Sequence, residues 1–436
     1  MTPRAPALAL IAVMGILPSA CAGRPRQAPA ETPPAARIEA EQMRSARRLA
    51  ALERQHARWP EDRQMVLEGA KSAWAFIDRS YQHETGFVKP LDAYPYATLW
   101  DVGSMLGALY SAHGLGLLPD AEYERRADRI LTTLGQLPLT RHGVFNKAYD
   151  TRTGTMARVG HGASDDAGWS ALDLGRLLVW LKIVGTTPAL AQKAAAVVSR
   201  NDFSVALHDG YLRGEGRDAQ GREERYQEGE LGYEQYAARG FALWGYRAEK
   251  ALRLRENALP IAVMDQPLVA DYRRWDRLTN EPFLLWGLEL GWDPPTELLA
   301  RRMLRAQQAR YEKTGVITIT GEDAMSEPPH YFYYYCIFAS GMDFAVDVQD
   351  RKAVVDGPRW TSAKSTFGFH ALMPTAYTSA AMRALAPARA RDEWASGVYE
   401  GSGTSTGNAS VNTAAVILEA SLVDLNGGPL LREGRD

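Results

Sequence analysis

Trp169–Gly185, WSALDLGRLLVWLKIVG, is apolar or small on almost every face when wound as a helix. A helix of that kind is buried all round rather than laid on a surface. Ser170 and Asp173 stand at its start in capping-box spacing, and Gly185 stops it. The same form recurs along the chain. Leu99–Gly116 (LWDVGSMLGALYSAHGLG), Leu231–Gly245 (LGYEQYAARGFALWG), Glu281–Gly291 (EPFLLWGLELG), Pro328–Gly341 with its aromatic run YFYYYCIF, and Ala409–Leu425 (ASVNTAAVILEASLVDL) all fit it. Between them lie helices with one polar face: Asp62–Arg79, Pro119–Gln136, Pro188–Arg200, Pro294–Arg310 and Thr375–Ala395. Several open with Pro, which suits the first helical turn. Strand-like alternation is confined to short stretches such as Gly315–Thr320. Buried helices alternating with amphipathic ones predict an inner ring sheathed by an outer ring, an all-α six-hairpin (α/α)6 toroid. An irregular α-helical domain is the plain alternative.

Composition fits one large globule. The chain has 436 residues, 46% of them hydrophobic, with 50 Lys+Arg against 52 Asp+Glu. A net charge of −2 lacks the basic surplus of a nucleic-acid binder. Two cysteines, Cys21 and Cys336, cannot build a disulfide framework or a Cys-based zinc site.

The first residues read differently. Arg4 followed by the apolar run Ala7–Leu17 and small residues predicts a secretory signal over residues 1–20. Leu17-Pro18-Ser19-Ala20-Cys21 resembles a bacterial lipoprotein box, in which Cys21 carries the lipid, although Pro18 departs from the usual pattern. Ordinary signal cleavage is the alternative. Residues 21–58 then form a Pro/Ala-rich tether and a charged leading helix, and residues 59–436 the toroid. The expected location is the periplasm, at the outer membrane if Cys21 is lipidated, with no other membrane attachment.

Acidic residues gather at the starts of the inner helices. Asp101, Asp173, Glu234 and Glu281 fall in first turns, and Glu327 and Glu400 lie just before the last two helices. Acids there cap backbone N–H groups and complement the helix dipole, which is the bland account of each one alone, and Asp173 looks most like a cap. The preceding segments add Ser164-Asp165-Asp166, Gln227-Glu228-Gly229-Glu230 and Gly321-Glu322-Asp323. Trp100, Trp169, Tyr233, Tyr331 and Tyr399 lie near the same end, offering flat faces on which sugars stack. Two carboxylates across such a cleft are the minimum for glycoside hydrolysis, one protonated to serve the leaving oxygen and one to activate water or attack.

Other chemistries find little purchase. No HExxH or P-loop occurs, and the eight histidines are scattered. His161 beside Ser164-Asp165-Asp166 is the one tempting metal set. No metal or cofactor is expected.

Three motifs in order carry a family resemblance: Tyr96-x-x-x-Trp100-Asp101-x-Gly103-Ser104, Ser170-x-x-Asp173-x-Gly175-Arg176-Leu177-Leu178, and Glu228-Gly229-x-x-Gly232-Tyr233-Glu234-x-Tyr236-Ala237-Ala238. With Tyr399-Glu400-Gly401 and Asn412-Thr413, they look like the bacterial "domain of unknown function 3131" family over about residues 60 to 425. That family is similar to six-hairpin glycosidases, glucoamylase-like and β-1,2-glucan-degrading. The resemblance implies an (α/α)6 barrel acting on glycans, often by inversion, but supplies no substrate. The expected roles are Glu230 or Glu234 as general acid and Asp101 or Asp323 as base or water-positioning group. Asp166, Glu228, Glu400, Trp100, Trp169, Tyr233 and Tyr331 are the expected contacts to an oligosaccharide or polysaccharide. A non-catalytic glycan-binding lipoprotein is the second reading. A lyase is the third, disfavoured because an acid-rich mouth repels uronates.

Overall fold

The computed structural model describes residues 60–431 apart from 160–161, 164–165, 219, 274–276, 327–331, 349–352, 356 and 391. The predicted signal, Cys21, the tether and the leading helix lie outside the described residues, as do His161, Ser164, Asp165, Glu327 and Tyr331.

Among the described residues eleven α-helices follow one another: α1 (Pro60–Ser80), α2 (Leu99–Gly114), α3 (Asp120–Gln136), α4 (Ala171–Val184), α5 (Pro188–Ser199), α6 (Tyr233–Ala242), α7 (Glu281–Leu285), α8 (Pro294–Thr314), α9 (Ala363–Leu372), α10 (Ala376–Ala384) and α11 (Val411–Asn426). A π-helical turn, Trp286–Leu290, prolongs α7. Helices α2, α4, α6, α7, α9 and α11 pack each on the next, and α11 returns to α2, closing a ring of six. Helices α1, α3, α5, α8 and α10 lie outside it. Between α6 and α7 the outer helix is replaced by a two-stranded hairpin, Ala258–Val263 with Gln266–Asp271.

Small residues let the inner helices meet at backbone distance. A Cβ on Gly240 of α6 would stand 2.0 Å from the Gly175 carbonyl oxygen of α4, and one on Gly175 would stand 2.5 Å from the Ala237 Cα. Gly107 of α2 faces Trp180 and Glu419 just as closely. Arg176 closes the ring from inside. Fully buried, it donates to Glu289 Oε1 at 2.8 Å and Tyr236 Oη at 3.3 Å, and reaches Glu419 at 3.4 Å. Its guanidinium carbon also lies 5.0 Å from the Trp100 ring. One side chain of α4 thus touches α2, α6, α11 and the π-turn. Trp180 and Tyr236 donate to Glu289 as well.

Three expectations are corrected. The fold is not all-α: short antiparallel sheets lie in the segments before the inner helices. One is 96–98, 148–150, 156–158 and 162–163; another is 322–324, 332–335, 346–348 and 353–355. The aromatic run of Pro328–Gly341 belongs to that second sheet, because aromatic side chains suit a pleated surface. Ala363–Leu372 is the fifth inner helix instead. Gly315–Thr320 is irregular rather than a strand.

The glycine contacts make a stability prediction. Gly240→Ala is expected to cost about 2 kcal/mol or more, since backbone must move. Gly135→Ala, on an exposed face of α3 with nothing within 4 Å, is expected to stabilise by about 0.5 kcal/mol. Urea midpoints of the two variants check both signs.

Candidate active site

All six inner helices start at one mouth, because their opening turns touch or, for Asp173 of α4 and Asp101 of α2, lie within electrostatic reach. Asn412 Nδ2 of α11 donates to Glu281 Oε1 of α7 at 2.7 Å, and Ser104 Oγ of α2 donates to Asn412 Oδ1 at 3.1 Å. Lys364 of α9 donates to Glu281. The Trp100 ring of α2 lies 5.6 Å from that of Tyr233 on α6. Ring order then divides the acids into two banks.

The first bank stands at α2 and α4. Thr98 caps α2: its N–H and its hydroxyl both donate to Asp101 Oδ2 at 2.9 Å. Asp101 is half-buried, and burial lifts its carboxyl above the usual range against those hydrogen bonds and Arg176. Asp173, half-buried in the first turn of α4, is pushed up to about 8 by burial and then by the Glu228 carboxylate. Glu228 comes from the loop before α6 and accepts from the Ala171 N–H, so it sits on the N-terminus of α4. Burial raises it too, opposed by Lys147, which donates to Tyr226 Oη at 2.7 Å.

The second bank stands at α7, α9 and the strand 322–324. Glu281, Glu322 and Asp323 are all buried there. Burial and then Glu281 push Glu322 up to about 8, and Tyr233 donates to its Oε2. Asp323 Oδ2 accepts from Trp360 Nε1 at 2.9 Å and Ser362 Oγ at 2.8 Å. Burial lifts Asp323 as well, while Lys364 opposes the rise.

The remaining expected residues are placed elsewhere or already engaged. Glu230 is buried and pairs with Arg277 at 3.1 Å, which also holds Asp347 at 3.0 Å. Glu234 is fully buried against Arg273 at 2.7 Å, and burial raises its carboxyl. Glu400 forms a two-pronged pair with Arg310 at 3.0 and 2.8 Å and accepts from Tyr335 at 2.9 Å. Asp166 accepts from the Gly168 N–H at 2.9 Å and pairs with Arg217 at 3.1 Å. Trp169 is fully buried and donates to the Arg213 carbonyl, so its ring has no face for a sugar. Tyr233 is buried as well, with its hydroxyl on Glu322, while Trp100 remains partly exposed at the mouth. Sequence reasoning singles out Asp323 rather than its neighbour Glu322, does not reach Lys364, and reads Asp173 as a cap. The adjacent acids of Gly321-Glu322-Asp323 were visible; a lysine that ends up buried carried no signal.

His142, Glu215 and Glu223 bring ligand atoms within 4.8 Å of one another. Arg217 and Arg225 each hold Glu215 at 3.1 Å, and Arg141 pairs with Glu223, so the acids of this group are already neutralised by guanidiniums.

The fold and the mouth define a six-hairpin toroid with a carboxylate-lined opening, walled by small sheets. The chain belongs to the family described as "Protein of unknown function (DUF3131)", whose model matches residues 68–427. Solved structures share the fold at low identity. A glucoamylase-like protein from Bacteroides caccae superposes with a TM-score of 0.61 at 13% identity, covering 85% of this chain and 94% of its own. An endo-β-1,2-glucanase from Chitinophaga pinensis, in complex with sophorotriose and glucose, gives 0.59 at 11%, covering 84% and 93%. An endo-β-1,2-glucanase mutant from Talaromyces funiculosus, with β-1,2-glucan, gives 0.55 at 10%, covering 84% and 85%. No curated protein matches the chain significantly.

The state of Asp173 has a consequence for stability. Folded, it keeps its proton to about pH 8; unfolded, it releases it near pH 4. The folded state binds more protons in that window, so Asp173 lowers stability progressively as pH rises through it. Asp173→Asn is therefore expected to gain on the wild type between about pH 4 and 8, measured by urea unfolding at both ends. A difference that does not change with pH would contradict the assignment.

Proposed function

We propose that the protein is a glycoside hydrolase working at this mouth on a neutral polysaccharide. The observation that carries the reading is the first bank. Asp173 is partly open to solvent yet keeps its proton to about pH 8, beside Asp101, which has one oxygen fixed by Thr98 and the other turned to no partner among the described residues. That supplies an acid and a water-positioning carboxylate in neighbouring first turns. Asp173 gives its proton to the glycosidic oxygen as the carbon–oxygen bond breaks. Asp101 takes the proton of the water that adds to the anomeric carbon. Burial, and then the charge of Glu228, keeps the proton on Asp173, and Trp100 offers the sugar a flat face. This reading assigns the donor role to Asp173 rather than to Glu230 or Glu234, because the oxygens of those two already serve guanidiniums.

The titles of the similar structures suggest β-1,2-glucan as the first substrate to try. The acid-rich mouth favours neutral over uronic chains. The sequence before Cys21 supports export to the periplasm, with Cys21 as the site of a lipid anchor.

A reducing-end assay on β-1,2-glucan and a panel of neutral and amino-sugar bacterial polysaccharides tests this. Cleavage is expected to fall about 100-fold or more in Asp173→Asn and in Asp101→Asn. It is also expected to decline above pH about 8, where Asp173 loses its proton. Binding by calorimetry without new reducing ends would make the protein a glycan-binding module. Ultraviolet-absorbing unsaturated ends would make it a lyase.

A further inference from the structure

Lys364 opens α9 and is 2% exposed, an unusual place for an ammonium. Its Nζ donates to Glu281 Oε2 and to the Glu322 carbonyl oxygen, and lies 3.6 Å from Asp323 Oδ1. Each partner is held again from its far side. Asn412, itself held by Ser104, takes the other oxygen of Glu281. Trp360 and Ser362 take Asp323 Oδ2, and Tyr233 takes Glu322 Oε2. Five inner helices (α2, α6, α7, α9 and α11) and the strand 322–324 are therefore tied through one nitrogen.

We propose that Lys364 is a positioning residue: its ammonium fixes Glu281 and the Glu322–Asp323 strand in place and thereby sets the charge of the second carboxylate bank. This rests on the reading of the mouth as a hydrolase centre, but its physical content does not need activity to be measured. Three buried carboxylates against one ammonium would leave two uncompensated charges, which burial makes costly. One proton, held on Glu322, reduces that to one. The other titratable groups around the cluster are Asp101, Glu419, Tyr233, Tyr334 and Cys336, and the nearby cations are Arg176 and Arg277. Lys364 acts on Glu281 and Asp323 by contact and on Asp101 only through Glu281.

The test starts with the wild type. Nitrogen-15 NMR at pH 7 is expected to show a slowly exchanging Lys364 ammonium, still protonated at pH 10. A deprotonated or freely exchanging amine would overturn the proposal. Carbon-13 NMR of the side-chain carboxyls, with Glu322 assigned through Glu322→Gln, then follows the proton. In Lys364→Met the Glu322 titration is expected to move up by about one pH unit or more. A folded variant whose titration does not move would overturn the proposal. Lys364→Arg keeps the charge in a different shape. It is expected to leave that titration close to wild type while kcat on β-1,2-glucan falls about 10-fold with KM nearly unchanged. Wild-type kcat in this variant would make Lys364 only a strut. If the wild type cleaves no glycan at all, the hydrolase reading fails, and the two NMR measurements still decide the role of Lys364.

Discussion

Six helices that converge on one axis leave almost no room at the centre, and what fills it decides whether the ring closes. Here the filling is a single guanidinium. Arg176 reaches Glu289, Glu419 and Tyr236 and lies against Trp100, so four other inner elements take their distance from one side chain. Burial and the neighbouring Glu289 carboxylate hold Glu419 well above the usual carboxyl range, which spares the centre a second bare negative charge. The π-turn Trp286–Leu290 belongs to the same constraint, because it carries Glu289. Its widened carbonyls are met by the end of the described chain: the N–H groups of Leu430 and Leu431 donate to Leu288 and Glu289 at 2.9 and 2.8 Å. Glycines at 107, 175 and 240 then let the helices approach that centre.

Closing the ring this tightly brings six helix starts together, and the chemistry of the mouth follows from the crowding. Acids that would each be a harmless cap on a separate helix become neighbours. Once neighbours in a buried place they cannot all ionise, so protons are retained at neutral pH. Environment decides where. Glu228 rests on the N-terminus of α4, which favours its charged form; Asp173 and Glu322 have less support and titrate near 8. The division of labour between acid and base in the proposed reaction rests on this unequal support.

Much of the ring was legible in the sequence because burial on all sides leaves a plain trace: glycine, alanine and large apolar residues with no polar face, as in Trp169–Gly185. The fifth inner helix escaped for the opposite reason. Ala363–Leu372 (AKSTFGFHAL) buries Lys364, Ser365, Thr366 and His370, so its composition looks like a loop. The nearby aromatic run took its place in the reading, although aromatic residues in succession favour a strand. The small sheets escaped because strands of two to seven residues show too little alternation to register. At the site, position was legible and protonation was not. Asp101, Asp173 and Glu281 announce themselves at helix starts, whereas the partners that engage Glu230 and Glu234, Arg277 and Arg273, come from a later segment with no motif to link them.

The account turns on Asp173 being the carboxyl that meets the scissile oxygen. A crystal structure of the Asp173→Asn protein soaked with a β-1,2-linked glucose oligosaccharide addresses that directly. The account predicts a chain lying across Trp100, with a glycosidic oxygen within about 3 Å of the residue 173 side chain and a water on Asp101. A sugar chain seated with its linkage against another carboxylate, or on a surface away from the mouth, would contradict it.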